Sequence, residues 1–168
     1  MVKLVPSPTA RSNPYGMVIS SKGIPYFAEF GSNKIASIDP KTLEIHEYAL
    51  PHEDSRPRRV AITTDNVIYY TDYSRGYLGP FDTKTGAITE WPSPGGPKSQ
   101  PYGITIVNGV VWYSESNTKP NTIVRFDPGT EKFQTWAIPS GGGVVRNMVH
   151  ALWIACSGMN RIGRVEIK

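Results

Sequence analysis

Three carboxylates stand at matching places in the chain: Glu29 ends Y-F-A-E, Asp72 ends Y-Y-T-D and Glu115 ends W-Y-S-E. Acids so placed can move protons or hold a cation, or they can accept backbone N–H groups and hold the fold together. Cationic groups are spread less evenly. Arg58 and Arg59 fall together in S-R-P-R-R-V, Arg75 in D-Y-S-R-G-Y, and Arg146 and Arg161 near the end. Five guanidinium groups brought to one end of a molecule would suit two-point capture of carboxylate or phosphate. Each could equally pair with a recurring acid, as Arg58 or Arg75 with Asp72. Tyr15 and Tyr102 follow Pro14 and Pro101 just as Arg58 follows Pro57, which adds two phenols to the candidate ligand contacts. Cys156 replaces the acid in a fourth such stretch; a thiol without a neighbouring base behaves as a small buried hydrophobe. His46, His52 and His150 fall in an outer strand, the loop after it and a turn, where solvent-exposed or structural roles are expected.

The elements that must position these side chains follow from a repeat. Pro14, Pro57 and Pro101 recur at intervals of about 43 residues, and the same register carries I-A-S-I-D-P-K-T, L-G-P-F-D-T-K-T and I-V-R-F-D-P-G-T. Each unit reads as four short strands. Its first hairpin turns at Asn108-Gly109 or an equivalent such as Lys22-Gly23, because both turn positions must tolerate positive φ. Its third strand ends at Asp39, Asp82 or Asp127, each able to bond its own backbone two residues on. Four-stranded units of this length are β-propeller blades. The fold expected is therefore all-β, with blades over residues 13–55, 56–99, 100–143 and 144–168. The last has three strands of its own, and residues 2–8 resemble the fourth, so pairing of Lys3 to Pro6 with the final sheet would close it and protect its edge. Exchange of that strand between two chains would give a homodimer with an eight-bladed ring. Pro80 falls inside a strand that should not be an edge, which predicts a bulge there or a site where the backbone nitrogen faces away from its ladder partner.

Composition narrows the function. With 18 Lys and Arg against 14 Asp and Glu, the net charge of +4 is mild and unclustered, and no basic stripe carries interleaved aromatics, so nucleic acid is not an expected partner. No apolar run is long enough for a membrane helix, and M-V-K-L-V-P-S-P-T-A-R-S lacks the apolar stretch of a signal peptide. A soluble chain is expected. One cysteine cannot make an internal disulfide, and no Cys/His cluster has zinc spacing.

The segments P-Y-G, W-Y-S-E, Y-S-R-G-Y-L-G, N-R-I-G-R-V and I-T-E-W-P-S-P-G-G resemble the streptogramin B lyase family, also called virginiamycin B lyase, from about residue 13 to 168. The resemblance implies a seven-bladed propeller, of which this chain supplies about four blades. It also implies an elimination that opens an ester linkage, with a His directly after a strand-entrance proline as general base and a second such His helping to hold Mg²⁺. Tyr15, Arg58 and Tyr102 stand after the three prolines here, so the family's base positions hold other residues, and the last unit has neither proline nor His at its entrance. The expected function is a small-molecule binding module with an arginine-rich face, its ligand polar or anionic and its contacts Tyr15, Arg58, Arg59, Asp72, Arg75, Tyr102, Glu115, Arg146 and Arg161. The alternative is a Mg-dependent carbon–oxygen lyase with Mg²⁺ held by the recurring carboxylates.

Overall fold

The structure, a computed structural model, describes residues 2–149, 153–157 and 161–166. Four antiparallel sheets follow one another along the chain, each with its strands side by side in chain order. The first contains β1 (Pro14–Ile19), β2 (Pro25–Glu29), β3 (Lys34–Ile38) and β4 (Ile45–Ala49). The second contains β5 (Pro57–Ile62), β6 (Val67–Asp72), β7 (Tyr77–Asp82) and β8 (Trp91–Pro92). The third contains β9 (Pro101–Val107), β10 (Val110–Glu115), β11 (Thr122–Asp127) and β12 (Lys132–Ala137), and the last contains β13 (Val144–Val149), β14 (Trp153–Ser157) and β15 (Arg161–Arg164).

Local chemistry explains the meander. Asn108 and Gly109 both adopt positive φ, 51° and 77°, so this pair makes the tight turn that joins β9 to β10 with the twist a hairpin needs. Asp39 Oδ1 accepts the amides of Lys41 and Thr42 at 2.7 and 2.9 Å, and Asp82 Oδ1 does the same for Lys84 and Thr85. Those backbone donors hold both carboxyls below the usual carboxylate range. The second strand of each of the first three sheets is covered on both faces, which is why Phe27-Ala28-Glu29, Tyr70-Thr71-Asp72 and Tyr113-Ser114-Glu115 are buried without alternation. The outermost β12 is mostly exposed and correspondingly polar.

Sheets pack face to face, and the core lies between them. Phe81 of the second sheet packs on Tyr26 and Tyr48 of the first, with ring centroids 6.3 and 4.8 Å away. Phe126 of the third sheet meets Tyr69 and Trp91 of the second in the same way, at 6.3 and 4.7 Å. Hydroxyls tie the inner strands: Thr71 Oγ1 donates to the Tyr102 carbonyl at 3.1 Å and Ser114 Oγ to the Val145 carbonyl at 3.0 Å. Thus β1 packs on β5, β5 on β9 and β9 on β13, and no comparable packing joins β13 back to β1 among the described residues. The sheets are propeller blades arranged as an arc.

One expectation needs correction, and at Pro80 one of two alternatives falls. Lys3 to Pro6 lie in no strand, and Leu4 is 89% exposed, so the leading segment does not pair with β15 and the last sheet remains three-stranded. The repeat supplies the reason. Ser7 in V-P-S-P corresponds to Ser93 in W-P-S-P, a connector serine that bonds the carboxylate of the blade it leads into. Ser7 accordingly donates to Glu29, and Thr9 binds Glu47 through its amide and hydroxyl at 2.8 and 2.7 Å, which docks the segment on the first blade. Pro80 causes no bulge, since β6 and β7 stay in register from Val67–Asp82 to Asp72–Tyr77. Instead the outer ladder fails: β8 shrinks to two residues, plus one isolated bridge between Phe81 and Ile88, because proline offers no N–H to it.

Candidate functional site

Each inner strand breaks register near its start: between Pro14 and Met17, between Pro57 and Arg59, where Tyr102 and Gly103 lie between the paired Pro101 and Ile104, and between Val145 and Met148. A bulge bends the strand and re-aims a side chain. The residues at these bulges include Tyr15, Arg58, Tyr102 and Arg146, so one register of four blades offers two phenols and two guanidinium groups. Glycine lets successive bulges approach: a Cβ on Gly103 would lie 2.9 Å from the Val145 carbonyl oxygen.

Arg58 is the centre of this face. Its guanidinium carbon lies 5.2 Å from the Tyr15 ring centroid, 4.6 Å from Phe30, and 4.2 Å from both Tyr73 and Tyr102. Four ring faces and edges around one cation hold it electrostatically, and its Nε is buried with no hydrogen-bond partner among the described residues. Arg59 stands 5.2 Å over Tyr15, and its Nε is likewise buried and unpartnered. The Tyr15 and Tyr102 hydroxyls share a hydrogen bond. That bond from Tyr102, helped by Arg58 and Arg59, draws the Tyr15 phenol down from its usual value, whereas burial and the same bond push Tyr102 up. Tyr15 is the acid of the pair, and at 42% exposure it is the one that solvent or a ligand can reach.

Beside the cage is a depression of ≈ 410 Å³, lined in part by Phe30, Tyr73, Arg56, Lys98 and Asn117. It therefore shares two rings with the cage and adds two cationic residues at its wall. None of these five was expected from the sequence. Phe30 and Tyr73 follow the recurring acids directly, in Y-F-A-E-F and Y-Y-T-D-Y, and a recurring residue reads as scaffold.

The carboxylates are structural. Glu115 accepts Ser93 Oγ at 2.6 Å, the Gly95 amide at 2.7 Å and Thr122 Oγ1 at 2.6 Å. Asp72 accepts the amides of Arg56, Ser74 and Arg75 at 3.0, 3.2 and 3.3 Å. Glu29 accepts Ser7 and Ser32. Each is wholly or almost wholly buried, and each pins the connector before its blade or the loop after its strand. Their oxygens are thus already occupied by donors, and among the described residues no group of three His, Cys, Asp or Glu converges on a point. The Mg²⁺ implied by the resemblance does not fit these carboxylates.

The other arginines separate. Arg75 is turned to Glu90, Asp72 and Asp54, with nitrogen–oxygen distances of 3.0, 3.2 and 3.5 Å, and stacks on Tyr77 at 4.2 Å. It closes a buried ion network. Arg161 begins β15 and lines a different cavity, between the third and fourth sheets, with Cys156. Arg146 is exposed on β13 at its bulge. His46 lies in β4 near Glu44 and His52 in a loop 3.5 Å from Glu90; His150 is outside the described residues. Burial pushes the Cys156 thiol up, against a weaker pull from Arg161. That suits a packed cysteine and not a nucleophile.

Meandering four-stranded blades with a polar, bulge-built inner face define a β-propeller protein of the lyase-like kind. The whole chain, residues 1–168, matches the family model described as the virginiamycin B lyase family, and the chain belongs to that family. It is 30% identical to a catalytically inactive variant of virginiamycin B lyase from Staphylococcus aureus, crystallised with quinupristin, at a TM-score of 0.82, with 95% of this chain and 54% of that one covered. A streptogramin B lyase structure gives 28% identity and a TM-score of 0.85 over 95% and 53% of the two chains. Hydrazine synthase of Kuenenia stuttgartiensis shares the fold, at 16% identity and a TM-score of 0.68 over 88% and 41%. No curated protein sequence matches the chain. The chain spans about half the length of the lyases it resembles.

Proposed function

We propose that this chain is a binding module of the lyase family that takes a small anionic ligand at the inner-strand face. The observation that carries the reading is the pair Arg58 and Arg59: adjacent guanidinium groups on one bulge, each with a buried Nε that nothing among the described residues satisfies. An anion laid across them would accept those donors, and Phe30, Tyr73 and Tyr15 would cover its apolar part. A buried donor left unmade costs about 1–3 kcal/mol, which a matching oxygen would recover on binding. A dimer of two such arcs would bring a second inner face into the same assembly.

Calorimetric titration with inorganic pyrophosphate and with citrate tests the proposal. Saturable binding is expected, weakened at least tenfold in Arg58→Ala and in Arg59→Ala and reduced by salt. Absence of binding by both anions, or parent-like affinity in both variants, would overturn it.

A carbon–oxygen lyase reaction is the second reading, favoured by family membership and by the acidity of Tyr15, which makes its phenolate the most readily formed phenolate base on the face. Opening of a streptogramin B antibiotic by the chain, lost in Tyr15→Phe, would establish it. No turnover of such a substrate would remove it.

A further inference from the structure

We infer that the cleft between the third and fourth sheets is a second ligand site, for a small aromatic carboxylate whose ring takes a place that phenylalanine fills in the equivalent clefts. The molecule's own successive clefts supply the comparison. Between the first two sheets, the Phe81 ring sits against Tyr26 and Tyr48; between the next two, Phe126 sits against Tyr69 and Trp91. Each cluster takes one aromatic from the second strand of a blade, one from its fourth strand and a phenylalanine from the third-strand register of the next blade. In the third cleft the first two positions hold Trp112 and Trp136, but the register of Phe81 and Phe126 falls on Val165. The incoming ring is absent. Trp136 instead stacks on Trp112, centroids 5.7 Å apart and planes 24° from parallel, and a cavity of ≈ 730 Å³ remains.

That volume lies within the range of roughly 300–1,000 Å³ typical of small-molecule sites. Its wall is apolar where the missing ring would lie, with Trp112, Trp136, Ile154 and Val165, and cationic at the side where β15 begins, with Arg161. Trp112 is only 3% exposed, and its Nε1–H has no hydrogen-bond partner among the described residues. An indole N–H is donor only, so what would satisfy it is an acceptor oxygen. Arg125 also lines the cavity, but it is already engaged by Asp127 at 3.2 Å and Gln134 at 3.3 Å, and Arg164 outnumbers with it and Arg161 the single Glu166. A flat ring carrying a carboxylate on a short arm meets all three demands: stacking on the tryptophans, an oxygen for Trp112 and a negative charge for Arg161. Empty, the cleft forfeits dispersion contacts that its two counterparts keep.

The probes are 3-phenylpropionate and its neutral amide, titrated into the intact chain with tryptophan fluorescence as readout. Saturable quenching by the carboxylate is expected, with the amide about tenfold weaker. Arg161→Gln should reduce the carboxylate to the level of the amide, and Val165→Phe, which supplies the ring in place, should abolish both. Equal affinity of Val165→Phe and the parent, or no saturable quenching by the carboxylate, overturns the site. Should Val165→Phe fail to fold, alkylation of Cys156, which is 5% exposed at the cavity wall, decides: saturable protection by 3-phenylpropionate supports the site, and an unchanged alkylation rate overturns it.

Discussion

A recurring acid and a non-recurring arginine looked chemically equivalent in the sequence, and the side-chain environment separates them. Glu115 meets three donors in a fully buried setting, so Glu115→Ala strands them all. We expect a loss of about 2–4 kcal/mol, read by denaturant unfolding, with Glu115→Gln intermediate because it keeps one acceptor. Arg58 meets four rings and, at its buried Nε, no acceptor among the described residues, so its replacement should leave stability closer to the parent while removing the anion response described above. Tyr15 links the two behaviours. Its phenol is drawn below the ordinary 10 by Tyr102, Arg58 and Arg59, so the stabilising interaction with its phenolate is present above 10 and is lost as pH falls through the lowered value. An ultraviolet titration should show one tyrosine ionising before the rest, and Tyr15→Phe should delete that component. If the titration is unchanged in Tyr15→Phe, the pair is not polarised as described.

Among the elements, the inner strands and the leading segment matter most. A bulge works only if its neighbour leaves room, and Gly103 does so against the Val145 carbonyl. Gly103→Ala must move backbone, so a cost of about 1–3 kcal/mol is expected from thermal unfolding, larger than for alanine at an open turn glycine such as Gly86 after its φ penalty is matched. The leading segment depends on Glu47. Burial raises the Glu47 carboxyl, but the Lys34 ammonium and the hydroxyl and amide of Thr9 outweigh this and hold it at about 2, against an ordinary 4.5. A lowered carboxyl pKa stabilises above the ordinary value and loses that contribution as pH falls from 4.5 through about 2. The docked segment should therefore release in acid. Glu47→Gln should flatten the stability profile in that window by on the order of 1–2 kcal/mol, after allowance for solvent screening; a profile identical to the parent would refute the role.

At the scale of the molecule, the arc leaves its ends uncovered. Met17 and Ile19 project from β1 at one end, each 61% exposed, and Trp153 and Ile162 from the last sheet at the other. Apolar faces of this kind favour association. Light scattering of the 168-residue chain should return twice 18.6 kDa, as for two arcs joined end to end, and a strict monomer would contradict the proposed dimer. The correction at Lys3 to Pro6 bears on how such a dimer forms. Because Ser7 and Thr9 fix that segment to its own first blade, association would proceed through the exposed blade faces and not through an exchanged leading strand.

What the sequence determined by itself was the repeating unit. Period, turn chemistry at Asn108-Gly109 and Asp39, and the uninterrupted burial of Y-Y-T-D and W-Y-S-E are local or near-local properties, because a strand's neighbours within a blade are also its neighbours along the chain. The register that places Tyr15, Arg58 and Tyr102 together was legible for the same reason. Tertiary structure alone decided which charges remain available: whether Asp72 or Glu90 reaches Arg75, whether Phe30 and Tyr73 turn toward Arg58, and which blade holds Ser7. Those choices depend on loop and side-chain placement within a blade as well as on contacts between sheets, where a displacement of a few ångströms converts a paired charge into one that can receive a ligand.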